Sequence, residues 1–158
     1  LGSLDELNSY IGLAKVRARQ VQDSSVTVDG KEYATSEILR DVQETLFIIQ
    51  AEVAGAEKSV SEEKVQWVSA LVRAIEGVIP PITTFTIAGG TELSAILDVA
   101  RTLARRAERR VVAVENTGAR TLSDPTRAYL NRLSSLLFAL SRLVNFKSGI
   151  KEESPSYK

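Results

Sequence analysis

Residues 85–110 read FTIAGGTELSAILDVARTLARRAERR. A short apolar run and a Gly-Gly pair open onto a segment with apolar side chains at Leu93, Ile96, Leu97, Ala100, Leu103, Ala104, Ala107 and Val111. Spacings of three and four place these residues on one face of an α-helix, so the stretch predicts an amphipathic helix whose apolar side a bundle buries. Asp98, Arg101, Arg105 and Glu108 fall on the neighbouring face, at the border of that core. Arginine is always charged and pre-organised for two-pronged hydrogen bonding, so two in register suit a polyphosphate. On spacing alone, pairing of the four charges along the helix is the plainer reading.

Working outward, only helical periodicity recurs. Leu4, Leu7, Tyr10, Ile11 and Ala14 share a face of a first helix that fades near Gln22, and an Asp29-Gly30 turn follows. A second helix is predicted from about Ala34 to Glu57, with Ile38, Leu39, Val42, Leu46, Ile49 and Val53 at core spacing. Ser61 is placed to cap a third, which runs to Val78 and stops at Pro80-Pro81. Ile82 to Gly90 reads as an extended connection in which Gly89-Gly90 permits backbone geometry that other residues resist. The arginine-bearing helix ends near Asn116, with Gly118 just beyond as a left-handed cap. Ser123 or Asp124 caps the fifth helix, Pro125 stands near its first position, and Tyr129, Leu133, Leu136, Leu140 and Leu143 mark its apolar stripe. Lys147 to Lys158 reads as a loose tail. Five helices, short links and no strand pattern predict an all-α, up-and-down five-helix bundle, one domain over residues 1–158.

Composition bounds the chemistry. With 158 residues and 44% apolar content the chain can bury one real core. Twenty basic and twenty acidic residues cancel, leaving no global field to attract nucleic acid or an anionic membrane. No window has the apolar length of a bilayer span and no signal-peptide pattern opens the chain, so a cytoplasmic protein is expected. Because the helical pattern begins within four residues of Leu1, the chain reads as a trimmed part of a longer protein. There is no Cys and no His, which removes disulfides, thiol nucleophiles, Ser-His triads, imidazole bases and the usual zinc sites. What remains is carboxylate chemistry, Lys or Arg electrostatics, magnesium held by carboxylates and phosphates, or a cofactor that brings its own reactivity.

Three further spots are unusual for scaffold. Asp5, Asn8 and Gly12 share a face of the first helix, and a helix-interior glycine, which costs about 1 kcal/mol relative to alanine, suggests close helix packing or, as the less plain reading, the approach of a ligand. Asn131 puts an amide in an otherwise apolar helix, either at an exposed position or at a polar site. Phe85, just before the Gly-Gly pair, reads by itself as a core plug.

Taken in order, LDELNSYIG (4–12), Phe85 with Gly89-Gly90, ARTLARRAERR (100–110) and YLNRLSSLLFALSRLVN (129–145) resemble the PduO-type corrinoid adenosyltransferases. These enzymes move the 5′-deoxyadenosyl group of ATP onto the cobalt of cob(I)alamin and release triphosphate. The resemblance implies a five-helix bundle assembled as a homotrimer with sites between subunits, using ATP, Mg²⁺ and cob(I)alamin. It assigns Arg101 a pairing across the subunit boundary with Asp5, gives Arg105 and Asn131 to ATP, and has Arg106 and Glu108 support that site. Phe85 is implied to press on the lower face of the corrin and keep the axial ligand from cobalt. No residue of this chain is assigned as a metal ligand. A reductase and an adenosylcobalamin-dependent enzyme are the implied protein partners. The family's Thr-x-x-Gly-Asp-x-Gly nucleotide loop, expected upstream of Leu4, is not within these 158 residues, and Gly2-Ser3 reads as its remnant. Two other classes fit the bare residues: a non-catalytic nucleotide- or corrinoid-binding bundle acting as carrier or sensor, and a helical oligomerisation module whose charges only make interfacial salt bridges.

Overall fold

The computed structural model describes residues 1–158. Five helices carry the architecture: α1 (Gly2–Gln20), α2 (Thr35–Val53), α3 (Glu62–Glu76), α4 (Glu92–Asn116) and α5 (Asp124–Lys147). Local chemistry sets their starts. The Ser61 hydroxyl accepts from the Lys64 amide, and Ser123 accepts from the Thr126 amide with a proline in the first turn. Thr91 and Ser94 form a reciprocal capping box at the head of α4. The connection through Ile82 to Gly90 has neither helix nor strand, and it bends at Thr84, Ala88 and Gly90.

The apolar stripes meet in one core, in which Leu7, Ile11, Leu46, Ile49, Leu71, Leu97, Leu133 and Leu140 are fully buried. Within it α4 packs against α5 and α1, α1 against α2, and α3 against α5. Gly12 is explained here: a Cβ at that position would stand 3.2 Å from Gln43 Nε2. Asn8 and Gln43 exchange side-chain to backbone hydrogen bonds of 3.3 Å across the same α1–α2 contact. No helix is long and apolar enough to cross a membrane.

The structure corrects the reading of the segment after α1. Ser25–Val28 (β1) and Lys31–Ala34 (β2) pair antiparallel, with Ser25 opposite Ala34 and Val28 opposite Lys31. Asp29 and Gly30 both have positive φ, 50° and 78°, as a tight two-residue hairpin turn requires. Four-residue strands offer two side chains per face, too few to register as alternation. Val26 is buried, and Tyr33 meets Trp67 edge-on at 5.6 Å, so the hairpin closes over α3. Helix α2 ends at Val53, ahead of the expected Glu57, because Gly55 turns the chain with φ of 100°; α3 ends at Glu76, short of Val78.

The C-terminal tail has no regular structure, yet it is tied down. Glu152 pairs with Arg142, the Ile87 amide donates to the Glu153 carbonyl at 2.8 Å, and the Thr84 and Ser154 hydroxyls bond at 2.8 Å. The reason is Arg142, a charged residue only 8% exposed, whose burial demands a counter-charge.

Candidate active site

Helical spacing builds two facing stripes. On α4 the residues are Asp98, Arg101 and Arg105; on α5 they are Ser134, Phe138, Ser141 and Asn145, each three or four positions from the next. Between them, roofed by the 82–90 connection and flanked by the tail, lies a cleft of about 980 Å³. Ser141 ties the two walls by donating to the Ser94 carbonyl at 2.8 Å.

Arg101 is held from two sides. Its Nε donates to Asp98 Oδ1 at 2.9 Å, and its guanidinium lies 5.9 Å from the centre of the Phe138 ring. The Asp98 and Arg101 side chains are 20% and 30% exposed, so this pairing is partly shielded from water. Arg105, the next turn on, also lines the cleft and has no carboxylate partner within salt-bridge reach. The charge ladder is therefore half formed: Asp98–Arg101 pairs, whereas Arg105 and Glu108 do not. A free cationic edge remains for an anion.

Phe85 stands on the roof of the cleft and is 79% exposed. It is not a core plug. The far end of this roof is set by Asn145, whose Oδ1 accepts from the Thr91 amide at 3.2 Å and the Thr91 hydroxyl at 3.4 Å. Gly90, with φ of 143°, passes so close that a Cβ there would stand 2.7 Å from Asn145 Oδ1. Glycine is required by both its backbone angle and its neighbour.

The remaining expected site residues lie outside this cleft. Asp5 is exposed near the start of α1 and has no salt-bridge partner in its own chain. Arg106 points to the other side of α4, where it meets Glu6 at 3.3 Å. Glu108 is half-buried one turn beyond Arg105, and Asn131 is exposed one turn before Ser134, so both extend the two stripes past the cleft's end. Sequence reasoning missed Phe138, Arg142 and Asn145, although they continue the Asn131 stripe at the same spacing.

A family model described as cobalamin adenosyltransferase matches residues 1–144. The chain belongs to the cobalamin adenosyltransferase family. It is 35% identical to a corrinoid adenosyltransferase of Bacillus subtilis over 153 residues, which cover 94% of the chain and 74% of that relative. It is 32% identical to the corrinoid adenosyltransferase PduO of Citrobacter freundii over 148 residues, or 89% of the chain and 40% of the relative. A variant PduO-type ATP:corrinoid adenosyltransferase from Lactobacillus reuteri, solved with cobalamin and ATP, superposes with a TM-score of 0.81 at 26% identity, over 98% of this chain and 81% of that one. The two stripes and the 82–90 roof thus belong to a cobalamin adenosyltransferase bundle, and the family match spans all of α4 and nearly all of α5.

Proposed function

We propose that this chain transfers the 5′-deoxyadenosyl group of ATP to cob(I)alamin, releasing triphosphate and forming adenosylcobalamin. The observation that carries the reading is the cleft itself: two arginines on α4 face it, one of them unpaired, beneath an exposed Phe85. Cob(I)alamin is a strong nucleophile. Its Co(I) electron pair forms the Co–C bond to C5′ while the C5′–O bond breaks, and the triphosphate leaves with that bond's electrons. No protein base is needed, which accounts for an enzyme without His or Cys.

The protein's contribution is placement and charge. Arg105, unpaired, and Arg101, held by Asp98, offer cations to the charge that grows on the departing triphosphate. Mg²⁺ would be held chiefly by the triphosphate oxygens, the hard ligands it prefers, and would neutralise part of their charge. Phe85 would occupy the lower axial side of the corrin, excluding water or a base and so easing reduction of Co(II) to Co(I).

Assembly as a homotrimer with sites between subunits accounts for the residues outside the cleft. Asp5 and Asn131 are exposed in a single chain, where a neighbouring subunit's cleft can receive them. A reductase that supplies Co(I), an adenosylcobalamin-dependent enzyme that takes the product and a cytoplasmic setting complete the reading.

An anaerobic assay with chemically reduced cob(I)alamin, ATP and magnesium tests it, following loss of Co(I) absorbance and growth of adenosylcobalamin. Product above the no-protein control is the expected result. Tight binding of both substrates without product would point instead to a carrier or sensor.

A further inference from the structure

Arg142 is the one charged side chain among the buried residues, and its two partners come from two distant parts of the chain. It projects from α5. Its Nη2 donates to the Pro80 carbonyl at 2.7 Å, where the connection to α4 begins. Its Nε and Nη2 donate to Glu152 Oε1 and Oε2 at 2.5 and 3.2 Å, gripping the tail as a two-pronged pair. Immediately beyond Glu152 the tail bonds to the roof of the cleft. The Glu153 carbonyl accepts from the Ile87 amide at 2.8 Å, and Ser154 meets Thr84 at 2.8 Å. Those two anchor points flank Phe85, whose ring is 79% exposed and belongs to no hydrophobic cluster.

The ring therefore has no packing of its own to locate it. We propose that Arg142 and Glu152 are positioning residues for Phe85: the buried ion pair fixes the tail, and the tail fixes the backbone on either side of the ring. This rests on the corrinoid-facing role given to Phe85 above. An unpaired guanidinium at a buried site is costly, so the pair is a firm anchor, whereas the 82–90 segment alone is bare backbone with few contacts. Lys151 and Glu153 line the same cleft, so the anchored tail also forms part of its wall.

The test uses the full chain with Glu152→Ala, Glu152→Gln and Phe85→Ala. Glu152 is on the tail and partly exposed, so its variants replace no residue of the bundle core, and exchange in α2 reports whether the bundle itself is disturbed. Two readouts are followed: hydrogen exchange of the Ile87 amide, and the ratio of adenosylation rates from Co(II) substrate under weak reductant and from pre-reduced Co(I). Glu152→Ala should speed Ile87 exchange by about tenfold or more, with Glu152→Gln in between, while exchange in α2 is unchanged. Glu152→Ala should lower the Co(II) to Co(I) rate ratio in the same direction as Phe85→Ala and add nothing further to that ratio in the Phe85→Ala background. Unchanged Ile87 exchange overturns the anchor. A ratio that moves in Phe85→Ala but not in Glu152→Ala overturns the link between tail and ring. If Phe85→Ala leaves the ratio unmoved, the axial role of Phe85 fails, and the exchange result still decides the anchor.

Discussion

Asp98 Oδ1 and Arg101 Nε lie 2.9 Å apart across one turn of α4, with the Phe138 ring on the guanidinium's other side. Arg101 thus has a carboxylate partner within its own chain, apart from the Asp5 that the proposed trimer would bring to it across a subunit boundary. Asp98→Asn keeps the shape and removes the charge, so Arg101 should sample other rotamers and kcat/KM should fall about tenfold. A double-mutant cycle between positions 5 and 101 should still show coupling of about 1 kcal/mol or more in activity. Zero coupling would remove Asp5 from the pairing and leave Asp98 as the carboxylate that matters.

Arg105 is the cleft arginine with no salt bridge to offset, so its loss should fall on substrate charge. Arg105→Ala is expected to lower kcat/KM for ATP by about 10²-fold, the scale for removing one preorganised donor to developing charge. Steady-state kinetics with ATP varied, beside a sedimentation measurement showing unaltered assembly, provides the check. Unaltered kinetics would take Arg105 out of the site.

Phe85 is too exposed to hold the fold together. Phe85→Ala should change unfolding free energy by no more than about 0.5 kcal/mol while depressing adenosylation of Co(II) substrate under weak reductant. Chemically pre-reduced Co(I) should restore much of the rate, and equal losses in both assays would refute axial exclusion.

Gly90 tolerates no side chain. In Gly90→Ala the new Cβ meets the Asn145 amide and the backbone keeps its positive φ, so the Thr91–Asn145 hydrogen bonds must give way. A loss of about 1–3 kcal/mol is expected in denaturant unfolding, together with lower activity. Full stability in this variant would show that the connection re-routes freely.

Tyr129 predicts an alkaline limb. It is fully buried in α5, its hydroxyl has at most a poorly aligned contact with Thr45, and burial raises the phenol above its ordinary value of 10.0 despite that contact. Near pH 10 the unfolded chain begins to release this proton while the folded chain retains it. The folded state then binds more protons, and stability falls as pH rises further. Tyr129→Phe removes a hydroxyl that makes no well-formed hydrogen bond, so at neutral pH its unfolding free energy should stay within about 1 kcal/mol of the parent. Above pH 10 its stability should decline less steeply, as thermal melts across pH would record; parallel declines would exclude Tyr129 as a cause.

Much of this was legible along the chain because helical order is a local property. Period 3.6 runs through Leu4 to Ala14, Ile38 to Ile49 and Leu93 to Val111, and caps such as Ser61 and Ser123 need only their own next three residues. The Phe85, Gly89-Gly90 and arginine motifs could be read in order for the same reason, and they were enough for the family. The β1–β2 hairpin was not legible, since its four-residue strands draw their burial from α3 rather than from any pattern of their own.

By itself, then, the sequence determined the five-helix bundle, the charged stripe of α4 beside its apolar one, and a chemistry free of His and Cys. Only the tertiary structure decided that Arg101 pairs with Asp98 while Arg105 stays open, that Phe138 and Asn145 wall the cleft, and that the tail is fastened rather than loose. Arg142 reaches Pro80 from 62 positions away, and Ser154 reaches Thr84 from 70. Such pairings obey no short period. They arise because a packed core leaves a guanidinium out of water, and burial then requires whatever carboxylate and carbonyl the folded chain can bring to it.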